Sequence, residues 1–259
     1  MLRDVQKAIG TRPAGTRLVV LSDYDGTLAE FHDDPTIPRP SEETTELLGA
    51  LTHRADLSFG IVSGRRVSDL RTRTQLPSRV YLAGLHGMEI EVGTVRWQHP
   101  DLDAARKYVR ALSERLEEVR GQVRGLLLED KDASIAVHVR TVDPAERAHA
   151  LELADRCAAD WVSNSHLRRL TGNMVLEFLP NIACHKGDAT RWIAADVQQR
   201  CDAPPWVVFI GDDVTDEDAF AAITHGVGVL VGSRPSVAQY QLDSIGDVNA
   251  LLSWLAREG

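Results

Sequence analysis

The chain has 259 residues, long enough for one large domain or for a core with a smaller companion. Its formal net charge is -9 with 26% charged residues, which argues against broad binding to nucleic acid or to an anionic membrane, although a local site can still hold an anionic small molecule. The three cysteines, Cys157, Cys184 and Cys201, are odd in number and far apart, which excludes an even disulfide framework and a paired zinc motif.

Taken in order, the opening MLRDVQKAIGTRPAG carries charges and no apolar core, so no signal peptide is expected. No apolar run approaches membrane-spanning length, and a soluble cytoplasmic protein is the expectation. Residues 2–10 read as a short helix closed by Gly10 and Pro13. LVVLSDYDGTLAEF, residues 18–31, is an apolar strand ending in two acids two residues apart, Asp23 and Asp25. The turn-rich DDPTIPRPSEE follows, and Ser41 before Glu42 and Glu43 marks a helix start with Leu47, Leu48 and Leu51 on its buried side. LSFGIVSGR is a second strand ending in Ser63-Gly64-Arg65, with a short helix near 67–70. RVYLAGLHGMEI, residues 79–90, reads as a third strand broken by Gly84 and Gly87. Continuous apolar strands alternating with helices predict a parallel α/β sheet.

The pattern then changes. A long helix is expected over 101–119, then two antiparallel strands within 125–140, a helix over 144–159 and a hairpin over 167–180 turning near Thr171-Gly172-Asn173. This predicts a smaller α+β domain at 91–180, inserted between core segments 1–90 and 181–259. The core resumes with a helix from about His185, a strand over 205–213 that again ends in acids, a short helix, the strand GVGVLVG and a closing helix over 247–256.

In open parallel sheets ligands sit beyond the carboxyl ends of the strands. That rule gathers Asp23 and Asp25, Ser63-Gly64, Lys186 at a helix start, and Asp212 and Asp213 with Asp216. One of two adjacent acids can attack phosphorus while the other moves a proton. Ser63 suits a phosphate oxygen, although Ser-Gly alone is also a plain turn. Arg65 could reach a phosphate or the rest of a substrate, or lie on the surface. A lysine beside the acids would neutralise a transferring phosphoryl group. GDDVTDEDAF packs five carboxylates into seven residues, 212–218, and such crowding asks for a cation; oxygen-only donors near phosphate suit magnesium better than zinc. Glu217 and Asp218 are expected to face solvent or cap the next helix. Neither a Walker-type lysine loop nor a GxGxxG fingerprint is present, which argues against nucleotide hydrolysis and NAD chemistry.

SDYDGTL, IVSGR, the lysine of HKGDA and IGDDVTDEDAF together resemble the four motifs of the haloacid-dehalogenase superfamily. GLHGMEI, EDK with HVR in the insert, LEFLPNIACHKG and the tail VAQYQLDSIGDVNALLSWL extend the likeness to the trehalose-6-phosphate phosphatase family over about residues 15–256. The resemblance implies a Rossmann-like core with an inserted α+β cap. It implies Asp23 as nucleophile and magnesium ligand, Asp25 as general acid/base and ligand through its backbone carbonyl, and Asp212 as a third ligand. Asp213 and Asp216 would sit at or just outside the metal's ligands, and Ser63 and Lys186 would hold the phosphate. His86 and Gly87 would line the sugar end. Glu129, Lys131, Arg140 and Glu177 would be candidates for sugar hydroxyls, although the first three could equally be surface charges and His86 an ordinary loop histidine.

The implied activity is magnesium-dependent hydrolysis of trehalose 6-phosphate to trehalose and phosphate through an aspartyl-phosphate, with the cap closing over the disaccharide. A phosphatase of a related glycosyl or pseudo-disaccharide phosphate would share the core chemistry, and a sugar-phosphate-binding protein without turnover is a further reading. The length leaves no room for a fused synthase domain, so coupling to a glycosyltransferase would involve a separate chain.

Overall fold

An apolar strand with no polar face must be covered on both sides. The structure, a computed structural model, describes residues 1–257 apart from Asp33 and Asn173. The part of the expected hairpin turn formed by Asn173 therefore lies outside the described residues. Helix α1 (Leu2–Gly10) leads to strand β1 (Arg17–Ser22), α2 (Glu42–Thr52), β2 (Leu57–Val62), α3 (Val67–Thr74) and β3 (Tyr81–Gly84). A hairpin of β4 (Glu89–Val92) and β5 (Val95–Gln98) precedes α4 (Leu102–Gln122), β6 (Leu127–Asp130), β7 (Ile135–His138), α5 (Arg147–Ser163), β8 (Leu167–Gly172) and β9 (Val175–Pro180). The chain ends with α6 (Lys186–Cys201), β10 (Pro205–Gly211), α7 (Glu217–Ala222), β11 (Gly226–Val231), β12 (Tyr240–Leu242) and α8 (Ile245–Arg257).

Eight strands form one sheet in the order β12-β11-β10-β1-β2-β3-β4-β5. The pairs from β12 to β3 are parallel, and β4 returns antiparallel to β3. Leu18 and Val20 of β1 pack with α1, α2, α3 and α8, while Val19 and Leu21 pack with α6 and α7. Both faces of β1 are thus apolar, and each such side chain contributes about 1.5–3 kcal/mol on burial. Ser41 caps α2 by accepting a hydrogen bond from the Thr44 N–H at 3.1 Å.

The expectation of one broken strand over 79–90 is corrected. The chain reverses at a 3-10 turn, Leu85–Gly87, and β4 runs back along β3. Leu85 and His86 both take left-handed φ, 51° and 58°, and Gly87 follows at 106°. Two consecutive left-handed non-glycine residues are strained and need external support. They have it: the Leu85 N–H donates to the Arg65 carbonyl at 2.9 Å and the His86 N–H to the Ser63 carbonyl at 3.0 Å. The three-residue β12 was not expected, being too short for a period to show.

The chain divides into two compact units, one of Met1–Phe31, Pro38–Trp97 and Cys184–Gly259, the other of His32–Ile37 and Gln98–Ala183. In the second, an antiparallel sheet β6-β7-β9-β8 buries one face against α4 and α5 through Ile135, Val137, Leu176 and Phe178. Among the described residues no helix is long and apolar enough to cross a membrane.

Candidate active site

Strand β1 is central: β2 and β3 follow on one side of it, β10 and β11 on the other. The strand order therefore reverses between β1 and β10, where ligands of open α/β sheets collect. The Asp23 N–H donates to the Ile210 carbonyl at 2.8 Å, carrying the parallel ladder one residue past β1. This brings Asp23 beside the acids that follow β10. Carboxylate oxygens of Asp23, Asp212 and Asp216 all lie within 4.8 Å of one another.

Lys186, the first residue of α6, is 3% exposed and sits between two of them. Its Nζ is 2.9 Å from Asp23 Oδ1 and 2.7 Å from Asp216 Oδ1. A lysine at a helix N-terminus opposes the helix dipole, and these two carboxylates offset that. Burial alone would lower the Lys186 ammonium, but Asp216 and Asp23 outweigh it and hold it above its ordinary value. The balance is still negative: three carboxylates against one ammonium leave a charge of -2. Accordingly burial, with Asp216 and Asp212 adding to it against the pull of Lys186, pushes Asp23 well above the usual carboxylate range. Burial, then Asp216, pushes Asp212 up to about 7. An all-oxygen, doubly negative, buried donor set fits a hard divalent cation.

The two acids on the β1 loop have different neighbours. Asp25 is half-buried and gripped by Arg65, whose Nε and Nη2 each donate to one carboxylate oxygen at 2.7 Å. Arg65 also reaches Asp69 at 3.1 Å, and Asp69 accepts from Arg73 at 2.7 Å. Arg65, expected to reach a phosphate or the rest of a substrate or to lie on the surface, is buried with its guanidinium on Asp25. Thr27 was not singled out, yet its hydroxyl donates to Asp212 Oδ1 at 3.0 Å. Gly26, at φ 80°, is where only a glycine suits: a Cβ would strike the Asp212 carboxylate and the Phe31 ring.

Ser63 is buried, and its hydroxyl oxygen accepts from the Arg65 N–H at 3.2 Å, leaving its proton for another acceptor. The His86 ring lies against Gly64, where a Cβ would sit 2.8 Å from the ring, and Gly87 lies against the His185 carbonyl beside Lys186. The 3-10 turn thus joins the ends of β2 and β3 to the start of α6. Asp213 is exposed. Asp216 is fully buried with both oxygens engaged, Oδ1 by Lys186 and Oδ2 by the Asp213 N–H at 2.9 Å, so it braces Lys186 from behind. Glu217 accepts from Arg234 and from the Val237 N–H, and Asp218 faces solvent.

In the smaller unit, register explains the polar cluster. Glu129 pairs with Ala136 and Ala136 with Glu177, so the three lie in one row on the face away from α4 and α5. The small Ala136 leaves room between the two acids. Glu177 Oε1 accepts from Ser134 Oγ at 2.6 Å and from Lys131 Nζ at 3.1 Å, and His138 Nε2 lies 3.0 Å from Glu129 Oε2. Arg140 lies two residues past β7, half-buried, with its carbonyl accepting from Arg147. Ser134 and His138 were not expected here. Alternation through Ser134, just before β7, and Ala136 and His138 within it is the signal that places them on this face.

The sequence model of the trehalose-phosphatase family matches residues 21–245. The chain belongs to the trehalose-phosphatase family. A trehalose-phosphate phosphatase of Mycobacterium marinum is 33% identical over 257 residues, which is 94% of this chain and 63% of that protein. One from Mycobacterium avium is 32% identical over 241 residues, 89% of this chain and 60% of that protein. The chain thus spans less than two thirds of the length of these curated relatives. The C-terminal domain of Candida albicans trehalose-6-phosphate phosphatase has the same fold, with a TM-score of 0.81, 21% identity, and 98% of this chain and 94% of that one covered. The fold is of the haloacid-dehalogenase class, with one α/β unit on a mainly parallel sheet and a second unit on an antiparallel sheet.

The raised carboxyls give this member of the trehalose-phosphatase family a signed pH dependence. A carboxyl whose pKa is higher folded than unfolded favours the folded state at low pH, and that advantage is lost as pH rises toward the folded value. For Asp212 the window runs from its ordinary 3.8 to about 7. A divalent cation is therefore expected to raise the melting temperature of the chelator-treated protein much more at pH 8 than at pH 5.5, and to release protons on binding near pH 6. Equal shifts at both values in a pH-resolved melt would refute this.

Proposed function

We propose that the chain is a magnesium-dependent phosphatase that hydrolyses trehalose 6-phosphate to trehalose and phosphate. The observation that carries this reading is the division of labour on the β1 loop: Asp23 faces Lys186 and two further acids, while Asp25 is held separately by Arg65.

Asp23 Oδ2 attacks phosphorus, the bond from phosphorus to the sugar oxygen breaks, and Asp25 in its acid form delivers a proton to that oxygen. Water then attacks the aspartyl-phosphate, Asp25 takes its proton, and the bond between phosphorus and Asp23 breaks to release phosphate. In the arrangement described, Asp25 is an acceptor for two guanidinium N–H groups, which is the form that receives a proton from water. Its acid form requires release from at least one arm of Arg65. Lys186 and the Ser63 hydroxyl hold the phosphoryl oxygens. Asp23, Asp212 and the backbone carbonyl of Asp25 would hold magnesium, which when bound supplies charge neutralisation for the phosphoryl group. His86 and Gly87 would line the sugar end, and Glu129, Lys131, Arg140 and Glu177 would be partners for sugar hydroxyls. Buried polar partners of this kind reject a substrate lacking the matching hydroxyl. The substrate would come from a glycosyl transfer onto a sugar phosphate.

Phosphate release measured with magnesium over a panel of sugar phosphates is the test. A preference for trehalose 6-phosphate over glucose 6-phosphate is expected, and Glu177→Gln should lower kcat/KM for the disaccharide by about ten- to a hundred-fold, the cost of one unsatisfied buried polar contact. A flat panel would reject the substrate assignment while leaving the phosphatase chemistry in place.

A further inference from the structure

At the opposite end of the core sheet from Asp23 lies a cavity of about 520 Å³. It opens at the amino ends of β1, β2 and β3, a six-residue strand away, or roughly 20 Å, from the carboxyl ends that carry the acids. In a protein of net charge -9, its wall includes Arg17, Arg54, Arg79 and Arg200 and no carboxylate.

Two of these arginines are neutralised by acids outside the wall: Arg54 by Asp56 and Arg200 by Asp196. Arg17 and Arg79 are not. Arg17 donates to the carbonyls of Ala55 and Leu57, the latter at 3.0 Å, and to the Ser58 hydroxyl at 3.3 Å. Arg79 donates to the Thr52 carbonyl at 2.9 Å and its hydroxyl at 3.2 Å. Every acceptor is neutral, and among the described residues no carboxylate lies within ion-pair distance of either guanidinium. A guanidinium has five N–H donors, so each retains at least two. Both are tied to the single stretch 52–58, which brings two like charges to one cavity wall. Arg79 is exposed and Arg17 half-buried, so water screens part of their mutual repulsion; an anion held by the free N–H groups lowers it further, and forked guanidiniums match a tetrahedral oxyanion.

We propose that this cavity binds a phosphate dianion, either free or carried by a small sugar-sized molecule, at Arg17 and Arg79. Cys201 supplies a local reporter. It is exposed, lines the same cavity, and ends α6, a 16-residue helix whose length puts it about 22 Å from Lys186. A ligand in the catalytic crevice therefore does not cover it.

The test is alkylation of Cys201 in the whole chain by iodoacetamide, followed by peptide mass spectrometry, with glucose 6-phosphate, inorganic phosphate or glucose present. Glucose 6-phosphate is expected to slow labelling about ten-fold at roughly ten times its Kd, and glucose not at all. Equal protection by inorganic phosphate assigns the site to the free dianion; protection by the sugar phosphate alone assigns it to the organic ligand. Arg79→Gln should abolish protection while leaving the melting temperature within about 2 °C and phosphate release within about two-fold of the parent protein. Absence of protection by either phosphate at 10 mM, or protection unchanged in Arg79→Gln, would overturn the proposal and leave both arginines as caps of the carbonyls that follow α2; ~10 mM is already weak for a specific site.

Discussion

Asp23→Asn is expected to lower turnover by roughly four orders of magnitude or more, the scale seen when a covalent nucleophile is removed. The amide is the same shape but cannot form an acyl-phosphate. The fold should survive, because Lys186 keeps Asp216 at 2.7 Å and the Asp23 N–H to Ile210 is backbone. Stability without metal should rise, since one of three crowded acids loses its charge and burial no longer penalises it. Single-turnover phosphate release, mass spectrometry of acid-quenched protein for a phosphoryl adduct, and melting in chelator together check this. Turnover within ten-fold of the parent would remove Asp23 from the nucleophile's role; a large fall in melting temperature would show that its charge supports the fold.

Lys186→Met is expected to damage both activity and stability. Removing one member of a buried ion pair leaves uncompensated charge and costs about 3–5 kcal/mol. For a chain of this size that corresponds to a drop of about 6–20 °C in melting temperature. Asp23, 5% exposed, and Asp216, fully buried, would be left facing each other with no cation between them. The drop should be largest at pH 8 and smaller at pH 5.5, because burial and the neighbouring acids already raise Asp23 so that it takes up a proton more readily there. Turnover should fall by at least about a hundred- to a thousand-fold through loss of a preorganised charge at the phosphoryl group. Adding Asp216→Asn should recover much of the stability and none of the turnover. A double-mutant cycle on melting and kcat separates the two roles, and additive stability effects would mean that the pair is not coupled.

The difference between what was legible and what was not follows the range of the interactions involved. Strand β1 was readable because its apolar run has no alternation, which is what burial on both faces requires. The start of α2 was readable because Ser41 caps a neighbour three residues away. The strand-end rule gathered Asp23 with Asp212, and the hydrogen bond from the Asp23 N–H to Ile210 is the ladder that brings these two strand ends side by side. By contrast, GLHGMEI has the apolar content of a strand, and its reversal depends on Leu85 and His86 being held in left-handed conformations by Arg65 and Ser63, about twenty residues earlier in the chain. The fork of Arg65 on Asp25 joins residues forty apart, so composition near Arg65 could not reveal it. In the smaller sheet, Glu177 stood out as a lone acid in an apolar run, but its neighbours Ser134 and Lys131 come from another part of the chain.

The sequence by itself determined the α/β class, the acids at the ends of β1 and β10, the lysine that opens α6 and the change of architecture in the middle of the chain. These are local patterns of period, cap and spacing, written among residues a few positions apart. Only the tertiary structure decided which charge answers which: that Lys186 bridges Asp23 and Asp216, that Arg65 serves Asp25, and that Arg17 and Arg79 meet neutral oxygens at the far end of the same sheet. Ion pairing depends on which strand ends lie side by side, and that is set by the order and register of the parallel sheet rather than by any stretch of the chain.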